Sequence, residues 1–164
     1  MATIEISGVS KIFTDKKRNA DVTALADISL DIARNQFVCL LGPSGCGKST
    51  LLNMIAGFEQ PSAGSITVDG ERITAPGADR GVVFQHANLM PWLPVWENVA
   101  FHLLLGGGQK AERRARAQTY IDMVGLTGFE NHYPSELSGG MNQRVGIARA
   151  LLMNPQVILM DEPF

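Results

Sequence analysis

The sequence predicts an α/β fold in which an antiparallel β element comes first, a parallel core sheet follows and a helical segment is inserted. Polar and apolar residues alternate near the N-terminus, as they do in half-buried strands. Two later runs, Phe37–Leu41 and Val157–Met160, are apolar throughout, which is typical of strands buried on both faces of a parallel sheet. Helical patterns dominate between them. We therefore expect one domain over residues 1–164 and a helical subdomain inserted at 86–137.

The first half of the chain is predicted to be rich in strands. Thr3–Val9 and Ile28–Ile32 alternate and predict an antiparallel pair, connected through a basic loop around residues 15–19. A helix is predicted at Ser49–Ala56 because Gly57 and Pro61 follow it and end the helical pattern. Two further short strands are predicted at Ser65–Gly70 and Gly81–Phe84.

The second half is predicted to be mainly helical. Prolines and glycines divide it into helical stretches, and an apolar strand follows them. The predicted elements are helices at Glu97–Leu105, Gln109–Val124 and Leu137–Leu152 and a strand at Val157–Met160.

Composition and charge exclude several classes of protein. The chain has 164 residues, 45% of them hydrophobic and 18% charged, which is enough apolar material for one packed core. A net charge of −2 argues against a nucleic-acid partner. Cys39 and Cys46 are too few for a disulfide scaffold, and the three histidines lack the spacing of metal ligands. The apolar runs are too short to cross a bilayer, and we expect no export signal in the first residues.

A glycine-rich segment connects the apolar run Phe37–Leu41 to the first predicted helix. It satisfies the pattern G-x-x-x-x-G-K-[ST] with Gly42, Pro43, Ser44, Gly45, Cys46, Gly47, Lys48, Ser49 and Thr50. Glycines let successive backbone N–H groups turn toward one anion at a helix N-terminus. Lys48 adds a cation for the β- and γ-phosphates, and the Ser49 hydroxyl is a ligand for Mg²⁺. The segment predicts a nucleoside-triphosphate site; an ordinary glycine-rich turn is the weaker interpretation.

Two adjacent carboxylates, Asp161 and Glu162, follow the last apolar run. Ligands bind at the carboxyl ends of the strands in open α/β sheets. We expect Asp161 to hold Mg²⁺, directly or through water, and Glu162 to polarise the attacking water. A solvated Asp-Glu pair would explain these two residues equally well by themselves, but the glycine-rich segment favours the catalytic interpretation.

A serine and two glycines, Ser138, Gly139 and Gly140, lie at the start of the fourth predicted helix. They form a second cluster of backbone donors at a helix N-terminus, although a serine cap followed by flexible glycines would suit the same residues. The segment from Leu137 to Leu151 resembles the signature motif of ABC-type ATPases. Its position before the strand that ends in Asp161 matches that family, and the resemblance covers essentially the whole chain.

The resemblance implies a P-loop NTPase of ABC type with ATP and Mg²⁺ as cofactors. It implies that Glu162, Lys48 and Gln85 are catalytic. Gln85 would be the glutamine that ligates Mg²⁺ and links the γ-phosphate site to the helical subdomain. Phe13 would stack on the adenine ring, with a role as a plain core residue given equal weight.

A finer resemblance, to importer ATPases for taurine, aliphatic sulfonates and nitrate, rests on Pro76–Gln85, Leu89–Leu93 and Glu97–Phe101. It implies that ATP hydrolysis powers solute import at the cytoplasmic face of the membrane. The implied partners are a second ATPase subunit, transmembrane permease subunits and, indirectly, a solute-binding protein. Trp92 and Trp96 are predicted to contact the permease, unless one or both pack inside the helical subdomain.

Two features depart from the family pattern. Met141 stands where many relatives carry Gln, and we expect it to be tolerated because the backbone and Ser138 make the main phosphate contacts. The chain stops at Phe164, whereas the family continues into further strands and a histidine at the γ-phosphate. We therefore expect exposed apolar sheet surface near Val157–Met160. The alternative function is a nucleotide-binding fragment that is not competent in catalysis.

Overall fold

The computed structural model describes residues 3–15, 20–107 and 109–163. These residues form two compact units, Met1–Arg80 and Gly81–Phe164. The fold is α/β, as predicted. The predicted loop residues 16–19 lie outside the described residues. The boundary near residue 80 differs from that of the predicted subdomain at 86–137, which stays a prediction.

The first unit is built on a four-stranded antiparallel sheet with the strand order β2-β1-β3-β4. Strand β1 pairs with both β2 and β3, so the predicted antiparallel element is confirmed and extended. Apolar side chains on one face of the sheet, among them Ile6, Val9 and Ile66, are buried. The elements of this unit are β1 (Ile4–Asp15), β2 (Ala20–Ile32), α1 (Lys48–Ala56), β3 (Ala63–Val68) and β4 (Glu71–Arg72).

Helix α1 begins and ends at glycines with left-handed backbone conformations. Gly47 precedes it with φ 97°, and Gly57 follows it with φ 83° and donates to the carbonyls of Asn53 and Met54. A left-handed residue is a common helix terminus, and glycine adopts that conformation without a steric penalty. The predicted helix and its end at Gly57 are confirmed.

The predicted buried strand at Phe37–Leu41 is wrong for the described part of the chain. No described strand pairs with these residues, and Phe37 and Leu41 are 90% and 89% exposed. An apolar run becomes a buried strand only where neighbouring strands take up its N–H and C=O groups. The apolar pattern predicted burial, but the described residues provide no such neighbours.

The second unit combines a small sheet with a helical core. Strands β5 (Arg80–Val83) and β6 (Val157–Met160) form a two-stranded sheet. Ile158 and Met160 on β6 are exposed, which confirms the expected exposure of apolar sheet surface. The helices are α2 (Val95–Val99), α3 (Phe101–Leu105), α4 (Lys110–Met123) and α5 (Gly139–Leu152), with a short 3₁₀ turn at Pro134–Glu136.

The helical core packs α2, α4 and α5 around fully buried apolar residues such as Val99, Ile121 and Val145. The single helix predicted at Glu97–Leu105 is instead two helices, divided at Ala100. Helix α2 contributes four buried residues to the unit and α3 contributes none. Within the described residues, no helix is both long and apolar enough to span a membrane.

Candidate nucleotide-binding site

The glycine-rich segment Gly42–Thr50, called the phosphate loop below, leads directly into α1. Gly45 and Gly47 have φ values of 81° and 97°, so both occupy the left-handed region that favours glycine. A Cβ on Gly47 would lie 2.6 Å from the carbonyl oxygen of Ala24. The loop therefore closes tightly against strand β2, and glycine is required there by both conformation and space.

The side chain of Lys48 folds back over the phosphate loop. Its Nζ donates to the carbonyl oxygens of Gly42 at 2.9 Å and Pro43 at 3.0 Å. The Sγ of Cys46, an exposed thiol, lies 3.9 Å from the same nitrogen. A positive charge is thus held at the loop, beside the first turn of α1.

The loop has the donor set of an anion site. The first N–H groups of a helix have no acceptor within the helix, and the helix dipole adds positive potential at this end. No acidic residue occupies the first turn of α1. Backbone donors, dipole and the Lys48 ammonium together fit a phosphate chain.

Phe13 projects from β1 in the same unit and is 42% exposed. It is therefore not a buried core residue, which removes one of the two interpretations of this position. The ammonium of Lys11 lies 4.9 Å from the centre of the ring. The role of Phe13 in stacking on a base stays a prediction.

In the second unit, the two predicted carboxylates follow β6. The backbone N–H of Asp161 donates to the carbonyl of Val83 at 3.0 Å. The Nε2 of Gln85 donates to Oε2 of Glu162 at 2.8 Å. The fold thus brings together Gln85 and Glu162, which are 77 positions apart in the chain.

Glu162 has an unusual backbone, with φ 46°. The left-handed region costs a residue with a Cβ about 1–2 kcal/mol, and the other described non-glycine residues with positive φ are Asn or Asp. Such strain clusters at functional sites. The conformation sets the direction of this exposed carboxylate.

Helix α5 begins at the serine and glycines singled out in the sequence. The Oγ of Ser138 accepts from the N–H of Met141 at 3.3 Å and caps the helix. Gly139 and Gly140 do not have positive φ, and a Cβ on either would meet nothing within 4 Å. Nothing within the described residues requires glycine at these two positions.

Two residues of α5 that the sequence reasoning gave no role tie this helix to the segment around Gln85. Gln143 Nε2 donates to the carbonyl of Phe84 at 2.7 Å. The Arg149 guanidinium donates to the carbonyls of Ala87 at 2.6 Å and Asn88 at 2.9 Å. Burial lowers the pKa of Arg149, although arginine stays charged in proteins. Only tertiary contacts reveal these roles.

The two tryptophans have different environments. Trp92 is 69% exposed and Trp96 is 4% exposed, within the helical core, so only Trp92 can contact a partner. Asn98 is fully buried and holds the loop that carries Trp92: its Oδ1 accepts from the N–H of Met90 at 2.8 Å, and its Nδ2 donates to the carbonyl of Leu93 at 2.8 Å. Asn98 belongs to the run Glu97–Phe101 that carries the finer resemblance, but nothing in that run predicts these hydrogen bonds.

A glycine loop that encloses a lysine at the start of a helix, in an α/β chain, defines a P-loop protein. The model of the ABC transporter family matches residues 25–164. The chain belongs to the ABC transporter family.

Its relatives include ATP-binding subunits of importers. It is 52% identical to the nitrate import ATP-binding protein NrtD of Synechocystis, over 98% of this chain and 60% of that protein. It is 57% identical to the taurine import ATP-binding protein TauB of Yersinia pestis, over 86% of this chain and 55% of that protein. The chain thus spans a little more than half the length of these relatives.

Solved ATP-binding cassettes share the fold. The dimeric, post-hydrolysis structure of the cassette MJ0796 bound to ADP and Pi superposes with a TM-score of 0.88 at 38% identity. The match covers 98% of this chain and 74% of that one. The expected family and fold are confirmed.

Proposed function

We propose that this chain binds ATP with Mg²⁺ and forms part of a subunit that hydrolyses ATP to power solute import. The observation that carries the proposal is the phosphate loop, in which the Lys48 ammonium lies beside the N-terminus of α1. Triphosphate is the anion that suits several backbone donors and a lysine ammonium together. Membership of the ABC transporter family supports ATP as the nucleotide.

Each predicted site residue has a defined role in this proposal. Lys48 neutralises the β- and γ-phosphates, and the loop N–H groups bind their oxygens. Ser49, Gln85 and Asp161 supply oxygen ligands of the kind that Mg²⁺ prefers, together with the phosphates. No group of three or more His, Cys, Asp or Glu side chains in the described part of the chain could hold a metal ion.

Glu162 is the proposed group that polarises the attacking water. Its carboxylate accepts from Nε2 of Gln85, which leaves the amide oxygen of Gln85 available to a cation. A single glutamine in this position would therefore respond both to the metal and to the catalytic carboxylate. Phe13 is the proposed platform for the adenine ring.

A second copy of the subunit is the proposed partner at the signature segment. Ser138, Gly139 and Gly140 would contact the γ-phosphate held by Lys48 of the other copy. The open space at both glycines supports this arrangement, because the approach of a phosphate needs room that a Cβ would take. The dimeric state of the MJ0796 cassette adds support.

The whole subunit is proposed to act at the cytoplasmic face of the membrane, bound peripherally to permease subunits that receive solute from a binding protein. The exposed Trp92 loop is the proposed contact with the permease, and residues 86–137 the proposed helical subdomain. Taurine or another sulfonate and nitrate are the proposed solutes, from the likeness to TauB and NrtD.

The test compares Lys48→Ala and Glu162→Gln with the unaltered protein. We expect Lys48→Ala to weaken binding of Mg·ATP at least about tenfold in titration calorimetry, since it removes a charge-assisted contact. In the complete subunit, Glu162→Gln should retain ATP binding and lose turnover. If Lys48→Ala and the unaltered protein had equal ATP affinity, the phosphate loop would not be the nucleotide-binding site. ATP turnover by the unaltered 164-residue chain, if it is abolished in Lys48→Ala, would count against the alternative of a non-hydrolytic fragment.

A further inference from the structure

Beneath the exposed ring of Phe13 lies a cation that the proposed function does not use. Lys11 precedes Phe13 by two positions on β1, and its Nζ lies 4.9 Å from the centre of the ring. The Lys11 side chain is only 11% exposed, whereas Phe13 is 42% exposed. A desolvated ammonium over an aromatic face interacts more strongly than one in water.

The ammonium is held in place by two oxygen acceptors. Its Nζ donates to Oε1 of Glu59 at 2.6 Å and to the carbonyl of Gln60 at 2.8 Å. An ammonium has three N–H donors, so these two bonds leave one for the ring of Phe13. The hydrogen bond from Lys11 is the main cause that lowers the pKa of Glu59, so the contact favours the ionised carboxylate.

Glu59 in turn is tied to the helix that follows the phosphate loop. The backbone N–H groups of Phe58 and Glu59 both donate to the carbonyl of Asn53, near the end of α1. Ser62 adds a second connection, since its Oγ accepts from the N–H of Ile12 at 3.1 Å. The strand that bears Phe13 and the helix that begins at Lys48 are therefore joined at the far end of that helix.

We propose that Lys11 is a positioning residue for the nucleotide base: anchored by Glu59, it fixes one face of Phe13 and leaves the other face open for stacking. This inference rests on the proposed role of Phe13 and extends it. A cation on one face withdraws electron density from the ring and favours an electron-rich base on the opposite face. The anchored contact also fixes the distance between the base platform and the phosphate loop.

The test separates base recognition from phosphate recognition. Titration calorimetry would measure the affinities of ATP and of inorganic tripolyphosphate, each with Mg²⁺, for the unaltered chain and for Lys11→Met. We expect Lys11→Met to lower ATP affinity about three- to tenfold with tripolyphosphate affinity unchanged. Lys11→Arg, which keeps a cation for Glu59 and the ring, should restore the ratio of the two affinities.

Arg34→Met is the matched control, because it also removes one cation from an ion pair, that of Arg34 with Asp69 at 3.2 Å. Arg34→Met should leave the ratio of the ATP affinity to the tripolyphosphate affinity unchanged. If Lys11→Met is unstable, Glu59→Gln tests the same anchor while the lysine remains, and should lower the ratio in the same direction. An equal loss of both affinities, or an unchanged ratio, overturns the role of Lys11.

Phe13→Ala distinguishes failure of this inference from failure of the base platform. An unchanged ratio in Phe13→Ala overturns the platform and the inference together. A lower ratio in Phe13→Ala with an unaltered ratio in Lys11→Met overturns the inference alone. In the Phe13→Ala background, we expect Lys11→Met to have no further effect on the ratio, since the lysine acts through the ring.

Discussion

Glycines lie at the start of helix α1 and of helix α5, but the fold requires glycine only at α1. At α1, Gly47 is left-handed and its Cβ would overlap Ala24, so the fold of the first unit itself demands glycine. At α5, Gly139 and Gly140 have ordinary backbones and open surroundings. Where neither backbone conformation nor neighbouring atoms require a glycine, the requirement comes from a molecule that approaches the start of the helix.

The largest expected effect is on stability at the first of these starts. Gly47→Ala should destabilise the chain by about 2–4 kcal/mol, from the left-handed backbone and the overlap with Ala24. Gly45→Ala is the control, because its φ is also positive but a Cβ there would meet nothing within 4 Å. Urea unfolding measures both; equal losses would show that the close approach to Ala24 does not matter.

A bulky group on Cys46 should abolish nucleotide binding, since its thiol lies within the phosphate loop, 3.9 Å from Nζ of Lys48. We expect alkylation with N-ethylmaleimide to remove ATP binding, and bound ATP to slow the alkylation. Cys39→Ser should remain sensitive and Cys46→Ser should become resistant, since both thiols are exposed. Inhibition that persists in Cys46→Ser would place the sensitive group elsewhere.

A substitution at the start of α5 should lower ATP turnover without lowering stability, in contrast to Gly47→Ala. Gly139→Ala should change the unfolding free energy by less than about 1 kcal/mol, in the favourable direction, because alanine is the better helix former. In the complete subunit it should lower ATP turnover at least about tenfold, the loss that 1.4 kcal/mol of transition-state stabilisation produces. Full turnover in Gly139→Ala would show that this glycine is not needed for contact with the nucleotide of the other copy.

The smallest expected effect concerns the ion pair of Lys11 and Glu59 in the first unit. The lowered pKa of Glu59 means that the folded state favours its ionised form. That contribution to stability is present above the unfolded pKa and is lost as the pH falls through the folded pKa. Unfolding measured between neutral and acid pH should therefore be less pH-dependent in Glu59→Gln. Identical profiles would show that the pair does not contribute.

The sequence predicted those parts of the fold that depend on local pattern. The antiparallel strands, helix α1 with its end at Gly57, and strand β6 were all predicted, because alternation, continuous apolar runs and glycine termini are visible in the chain. The run Phe37–Leu41 was not predicted correctly, because burial of a strand depends on neighbours that a local pattern does not contain.

The candidate site was predictable where a motif defines it and not where tertiary contacts do. The phosphate loop and the pair Asp161–Glu162 follow from spacing. The hydrogen bond between Gln85 and Glu162 joins residues far apart in the chain. No motif marks Lys11, and the run that contains Asn98 does not predict its contacts. Trp92 and Trp96 look alike in the sequence, and only packing against α4 and α5 separates the exposed ring from the buried one.

The central claim is that the glycines of α5 serve a nucleotide held by another copy of the subunit. The most direct measurement mixes two complete subunits with impaired turnover, Lys48→Ala and Gly139→Ala, and records ATP turnover. A mixed dimer would contain one intact site, built from the phosphate loop of the Gly139→Ala copy and the signature segment of the Lys48→Ala copy. Mixing should restore part of the turnover. No recovery, in a mixture shown to form dimers, would contradict the claim.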